Sequence, residues 1–183
     1  MEILGEEVVF DGRFIVVSKV FFKGSDGNTY IWEKVKRKTF GKIVSICAIT
    51  KNKEIVLNKI FRIPANKYVI EFPAGLMDKP GEDPADTVKR ELVEETGYTF
   101  EGTAELLLEG PFNAGLLADE LMVFYASGAW KEKEPRLEPA EDIEVITVHL
   151  DSLVEFVLNP PSGCLPDMKL LSVLPVLQRK GVI

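Results

Sequence analysis

GLMDKPGEDPADTVKRELVEETGY, residues 75–98, is the stretch on which the reading of this chain turns. Its second half carries the marks of an amphipathic helix. Asp83 can cap the first turn, Pro84 suits the first helical position, and Asp86 adds negative charge where the helix dipole is positive. Gly97 is the natural stop, because a residue without Cβ adopts the left-handed conformation at low cost. Ala85, Val88, Leu92 and Thr96 recur at helical spacing, which predicts one buried face against a sheet. In the first half, Lys79-Pro80-Gly81-Glu82 places Pro and Gly where a type II turn needs them.

Strand signals surround this helix. Phe14–Phe22 is rich in β-branched and aromatic residues, the cluster Gly24–Asn28 signals a turn, and Tyr30–Arg37 completes a hairpin. Lys42–Thr50 and Glu54–Ile63 are expected to pair around Lys51-Asn52-Lys53, and Tyr68–Phe72 runs into Pro73-Ala74-Gly75. Further strands are expected near Ala104–Leu108, Leu121–Ser127 and Ile143–Leu150. Helices are expected over Asp151–Leu158 and Asp167–Gln178, with a kink or early end at Pro175. Helices on a mixed sheet, with strands in runs, predict an α+β fold built as an α/β/α sandwich. Residues 1–38 read as an N-terminal β region and residues 39–183 as the main domain.

The chain has 183 residues, 46% of them hydrophobic and 28% charged, the composition of a globular domain rather than a disordered or fibrous one. The acidic start MEILGEEVVFDGR has no apolar core of a signal peptide, and no apolar run approaches the ~18 residues that span a bilayer. Cys47 and Cys164 stand in no metal or redox spacing, which points to a reduced, cytoplasmic protein. The single histidine, His149, sits in an alternating run and reads as a strand residue. The net charge of -7 argues against nucleic acid as partner but divides unevenly: residues 1–70 sum to +6, residues 71–155 to -15 and residues 156–183 to +2.

The acidic segment holds the most specific feature. Glu91, Glu94 and Glu95 fall at i, i+3 and i+4, so their carboxylates share one helix face beside the apolar stripe. Three like charges so close repel, and a hard divalent cation with oxygen ligands relieves the repulsion. By itself such a cluster also describes a solvated helix face. Its context is more telling. From Glu82 through seven residues to Arg90-Glu91-Leu92-Val93-Glu94-Glu95-Thr96-Gly97-Tyr98, the segment resembles the Nudix box. It departs from that motif only in carrying six residues, not five, between Gly75 and Glu82.

The resemblance implies hydrolysis of a nucleoside diphosphate linked to another moiety. It assigns the carbonyl of Ala74 with Glu91, Glu94 and Glu95 to one or more Mg²⁺ ions (Mn²⁺ as the alternative), and gives Arg90 an orienting role through Glu82 or Glu94. Similarity continues beyond the box towards the ADP-ribose pyrophosphatase and nucleotide-sugar branch. Arg62 with Glu71-Phe72-Pro73-Ala74-Gly75 resembles the segment that meets the diphosphate or terminal ribose. Trp32 resembles the tryptophan that stacks on adenine, and Phe14 the second aromatic, contributed by a partner subunit. That arrangement implies a homodimer with exchanged N-terminal strands. Arg37 is the best match for a phosphate contact from the Lys34–Lys38 run.

Glu138-Pro139-Ala140-Glu141-Asp142 resembles the mobile acidic loop of this branch, with Glu141 as general base and Glu138 as its runner-up. The sugar-side loop departs from the branch pattern. Ala114 stands in place of the expected proline beside Gly115, and Asp119-Glu120 follows after a longer spacer. The expected activity is therefore Mg²⁺-dependent cleavage of ADP-ribose or a related nucleotide sugar to a nucleoside monophosphate and a sugar phosphate. The alternatives are a dinucleoside polyphosphate, coenzyme A or GDP-mannose as substrate, or a non-catalytic nucleotide-binding module.

Overall fold

The computed structural model of the chain describes residues 1–111 and 113–183. Three antiparallel strands come first, β1 (Glu2–Asp11), β2 (Ile15–Lys23) and β3 (Thr29–Arg37), in the order β1-β2-β3. The expected hairpin is present, in unbroken register from Ile15 opposite Arg37 to Lys23 opposite Thr29. Its turn is pinned by the Asp26 carboxylate, which accepts from the Asn28 amide at 3.0 Å and the Tyr30 hydroxyl at 2.7 Å. Strand β1 has no counterpart among the expected elements. All ten of its residues are exposed, and two register shifts interrupt its ladder with β2, so its sequence shows no period-two pattern.

The main body begins with β4 (Ile43–Thr50) and β5 (Glu54–Arg62), followed by a short 3₁₀ turn (Ile63–Ala65), β6 (Lys67–Glu71), β7 (Ala74–Leu76) and α1 (Pro84–Thr96). Then come β8 (Tyr98–Thr99), β9 (Glu105–Pro111), β10 (Glu120–Lys131), β11 (Ile143–His149) and α2 (Leu153–Leu158). The chain closes with β12 (Cys164–Pro166), α3 (Lys169–Ser172) and α4 (Leu174–Arg179). Among the described residues, β4 to β12 form one nine-stranded mixed sheet.

Alternation along the central strands builds the two cores. Val44, Ile46 and Ala48 of β4 with Val56 of β5 face Val88 and Leu92 of α1. The intervening Cys47, Ile49, Ile55 and Leu57 face Leu153, Val157, Leu170 and Leu177 of the C-terminal helices. Each such aliphatic side chain stabilises the fold by about 1.5–3 kcal/mol when fully buried. The result is the expected α/β/α arrangement, with α1 on one face and α2 to α4 on the other. Both cysteines are free and buried, and burial pushes the Cys47 thiol up to about 12, which leaves it unreactive. His149 ends β11, where Nδ1 accepts from the Asp151 amide at 3.3 Å. Among the described residues no helix is long and apolar enough to cross a membrane.

Two expectations hold and are extended. β4 and β5 pair antiparallel as expected, at Ile49 and Ile55, and β4 has its longer ladder with β10, parallel to it from Ile43–Leu121 to Thr50–Ala129. A parallel partner so distant in the chain leaves no local trace in the sequence. The last helix is not one element. It breaks at Val173 into α3 and α4, because Pro175 enters the first turn of α4 and has no N–H to continue the preceding turn.

The C-terminal end of α1 is tied to the chain that leaves β10. Gly97 adopts φ +73°, its N–H donates to Val93 O at 2.9 Å, and a Cβ there would overlap the Lys133 carbonyl. The Gly97 carbonyl accepts from Glu132 N at 2.9 Å, and Arg136 N donates to Glu94 O at 2.8 Å. These bonds stitch residues 132–136 to the carboxylate helix just before the acidic loop.

Candidate active site

α1 starts as its sequence demands: Asp83 Oδ1 accepts from Ala85 N at 2.7 Å, and Pro84 opens the first turn. The chain enters it through the Lys79–Glu82 turn, in which Glu82 N donates to Lys79 O at 3.3 Å and Gly81 sits at φ +74°. Glu82 is therefore held where it can reach Arg90. The guanidinium of Arg90 is the hub of this face. Its Nε meets Glu82 Oε1 at 3.1 Å, Nη1 meets Glu91 at 2.8 Å and Glu94 at 3.2 Å, and Nη2 meets Asp78 at 3.3 Å. Burial works against the Arg90 charge, but the Glu82 bond and the Glu91 charge outweigh it and hold the group firmly protonated. Glu82 is pulled below its ordinary value, chiefly by the same Arg90 bond.

Glu91 and Glu95 lie deeper. Gly75, in β7, has no side chain, and a Cβ there would occupy the space of the Glu91 carboxyl. The β7 backbone and the helix approach each other only because position 75 is glycine. Glu95 Oε2 accepts from Ala74 N at 3.0 Å and from Asn58 Nδ2 at 2.8 Å. Burial raises Glu91 to about 6, with Arg90 opposing and Glu94 adding to the rise. Burial likewise raises Glu95 to about 8, opposed by the Ala74 N–H and by Asn58 and reinforced by Glu91 and Glu141. Among the described residues no three such side chains converge in ligand geometry. Arg90 stands between Glu91 and Glu94, and Glu95 is turned towards Asn58.

The other candidates approach from three directions. Arg62, at the end of β5, pairs with the buried Glu71 of β6, Nε to Oε2 at 3.3 Å with a second Nη2–Oε1 contact. The acidic loop folds as a turn in which Glu141 N donates to Glu138 O at 3.0 Å and Glu141 Oε2 accepts from Glu138 N at 2.8 Å. Asp142 anchors it, its carbonyl accepting from Phe61 N at 3.1 Å and its carboxylate from the Tyr68 hydroxyl at 2.7 Å. Glu141 thus lies within electrostatic reach of Glu95, while its carboxylate is engaged in its own turn.

On the N-terminal sheet, Trp32 Nε1 donates to Gly115 O at 2.9 Å, and Trp32 lines an apolar groove of about 310 Å³ with Phe22, Lys34, Ala114 and Leu116. Arg37 closes β3 and pairs with the buried Asp119. Phe14 is exposed under the Arg13 guanidinium, 4.9 Å from its ring centroid. Trp32 lies opposite Val20 of β2, six residues on from Phe14, which immediately precedes that strand, and so roughly 20 Å away. One chain therefore does not bring the two aromatic rings together.

Sequence reasoning passed over Asn58 and Asp78, and it named Asp119 and Asp142 as members of their loops without giving either a role. For Asn58 a signal exists, since it interrupts the apolar run Ile55-Val56-Leu57 of a buried strand. The others are specified only by contacts across the fold.

The NUDIX domain model matches residues 39–165. The chain belongs to the Nudix family. This Nudix chain is 33% identical over 153 residues to the methanol dehydrogenase activator of Bacillus methanolicus, covering 82% of this chain and 80% of that one. It is 31% identical over 156 residues to the ADP-ribose pyrophosphatase of Bacillus subtilis, covering 84% and 81%. The resemblance to the ADP-ribose pyrophosphatase branch and the assignment as a Nudix hydrolase are borne out. A crystal structure of an ADP compounds hydrolase superposes with a TM-score of 0.80 at 22% identity, covering 99% of this chain and 96% of the other, which bears out the fold.

The residues of this Nudix site fit a hard divalent cation. All the donors that α1 presents are carboxylate oxygens, and the Ala74 carbonyl lies in the adjoining strand. The Gly75 cradle presses the Glu91 carboxyl against that strand. Burial without enough positive charge leaves two of the carboxylates holding protons well above their ordinary range, a condition that a bound cation reverses.

Proposed function

We propose that this Nudix hydrolase cleaves the diphosphate bond of ADP-ribose or a related nucleotide sugar, using Mg²⁺ and releasing AMP and a sugar phosphate. The observation that carries the reading is the Glu91–Glu94–Glu95 face of α1, packed against Ala74 and Gly75 and organised around Arg90. Glu91, Glu94 and Glu95 with the Ala74 carbonyl are the metal ligands in this reading. A cation held by these residues would supply charge neutralisation for the diphosphate and a lowered pKa for the attacking water.

The protein's own groups do the rest. Trp32 offers a stacking face for the base, worth roughly 1–3 kcal/mol. Arg37 and Arg62 bind phosphate oxygens, and Glu71 holds the Arg62 fork in place. Glu82 restrains Arg90, which keeps Glu91 and Glu94 in register. Glu141, released from its own turn when substrate enters, accepts the proton of the attacking water, with Glu138 beside it as the second carboxylate. In this reading Gly115 belongs to the substrate site through its carbonyl, which accepts from the Trp32 indole N–H at 2.9 Å and holds the stacking ring. The decisive assay incubates the protein with a panel of nucleotide sugars, dinucleoside polyphosphates and coenzyme A with Mg²⁺ and separates the phosphate products. AMP with a sugar phosphate is the expected pair, and mononucleotides alone would overturn the reading.

Residues 1–38 form, in this reading, the dimerisation and base-stacking region, and residues 39–183 the catalytic domain. The support is the exposed apolar surface of the N-terminal sheet, including Ile3, Val8, Phe10, Phe14 and Trp32, which a second copy would cover. Exchange of these strands between protomers would also bring a partner's Phe14 to the base. Removing residues 1–38 is expected to give a monomer, or an insoluble chain, whose KM rises at least about tenfold by loss of stacking. A soluble truncated dimer with unchanged KM would refute the exchanged-strand picture.

A further inference from the structure

Asp119 is a costly residue. Its side chain is 4% exposed, and its Oδ2 accepts no hydrogen bond from the described residues. An ionised carboxylate in that state needs a compensating charge. The nearest is the Arg37 guanidinium, with Nε 3.6 Å from Oδ2, while Oδ1 accepts from the Arg37 backbone N–H at 3.1 Å. Asp119 therefore grips Arg37 at both its main chain and its side chain. The guanidinium is still nearly half exposed, so its outer nitrogens remain open to an anion.

The same loop grips β3 further along. Val35 N donates to Leu116 O at 3.0 Å, Ala118 N to Val35 O at 2.9 Å, and Trp32 Nε1 to Gly115 O at 2.9 Å. The segment from Gly115 to Asp119 runs beside β3 and holds the aromatic at one end and the arginine at the other. We infer that Asp119 is a positioning residue for nucleotide diphosphate: through Arg37 it sets the phosphate contact at a fixed distance from the base-stacking tryptophan. The inference rests on the proposed role of Arg37 at the phosphates. It explains why a buried acid is retained at the mouth of a site for an anion, where an exposed carboxylate would repel the ligand.

The test measures ADP affinity by calorimetry, without added metal, in the full-length protein and in Asp119→Asn, Arg37→Ala and the double variant. Asn keeps the shape and the acceptor for the Arg37 N–H but removes the charge that orients the guanidinium. Asp119→Asn is expected to weaken ADP roughly tenfold, and to add less than about twofold in the Arg37→Ala background, because coupled residues are non-additive. A merely structural role would weaken ADP equally in both backgrounds and would overturn the inference, as would an unchanged affinity in a folded Asp119→Asn. Should Asp119→Asn fail to fold, Asp119→Glu keeps the charge but displaces it by one methylene, and the same criteria apply. Failure of the wild type to bind ADP would overturn both the inference and the functional reading. ADP binding without hydrolysis of any nucleotide sugar would overturn only the latter.

Discussion

Replacing Glu95 by Gln is expected to lower kcat/KM by about 10²–10³-fold while leaving the metal-free protein more stable at alkaline pH. The two effects have one cause. Glu95 is buried, and burial raises it to about 8, so the native state without metal holds a proton that the unfolded chain releases near its ordinary 4.5. A group raised on folding contributes stability that is complete below the unfolded value and is lost as pH climbs through the folded one. Glu91, raised to about 6, acts in the same direction over a narrower window.

The metal-free wild type should therefore melt progressively lower from pH 5 to pH 8.5. The fall should reach at least about 5 °C, the shift that about 2 kcal/mol produces in a domain of this size. Glu95→Gln, neutral throughout and isosteric, should flatten that slope, and saturating Mg²⁺ should flatten it in the wild type by displacing the protons. Melting curves in chelator and in Mg²⁺, read beside product release, separate the two roles. Glu94→Gln, at a half-exposed carboxylate bonded to Arg90, should match the loss of activity. Full Mg²⁺-dependent turnover in both variants would refute the metal site.

Gly75→Ala is expected to leave the fold intact and remove most of the activity, on the order of 10²-fold. The added methyl would collide with the Glu91 carboxyl and its Cγ, the mobile end of a flexible side chain, and not with backbone. Rotating Glu91 away costs the fold little, so the melting temperature should move by no more than a few degrees. The displaced carboxylate, however, is a proposed ligand, and the loss should appear first as a higher Mg²⁺ concentration for half-maximal rate. A variant with wild-type Mg²⁺ dependence would show that the close approach of β7 to α1 serves packing alone.

The helix, its caps and the type II turn before it are all legible in residues 75–98, because each depends on neighbours within four positions: Asp83 on Ala85, Gly97 on Val93, Pro80-Gly81 on Glu82. The hairpin of β2 and β3 is legible for the same reason. The uneven charge is legible too, with acid on the helix of Glu91, Glu94 and Glu95 and base on the strands that carry Arg37 and Arg62.

What the sequence determined, then, is every element whose code is local, together with the spacing that sets Glu91, Glu94 and Glu95 on one helix face. What only the tertiary structure decided is where those carboxylates rest. Asn58 and Ala74 hold Glu95, Gly75 makes room for Glu91, and Asp119 grips Arg37 from 82 residues away. Those contacts arise when a parallel strand, a glycine bend and a returning loop are brought together around one sheet. Burial there shifts the acids and fixes the arginines, and neither effect exists in a chain before it has folded.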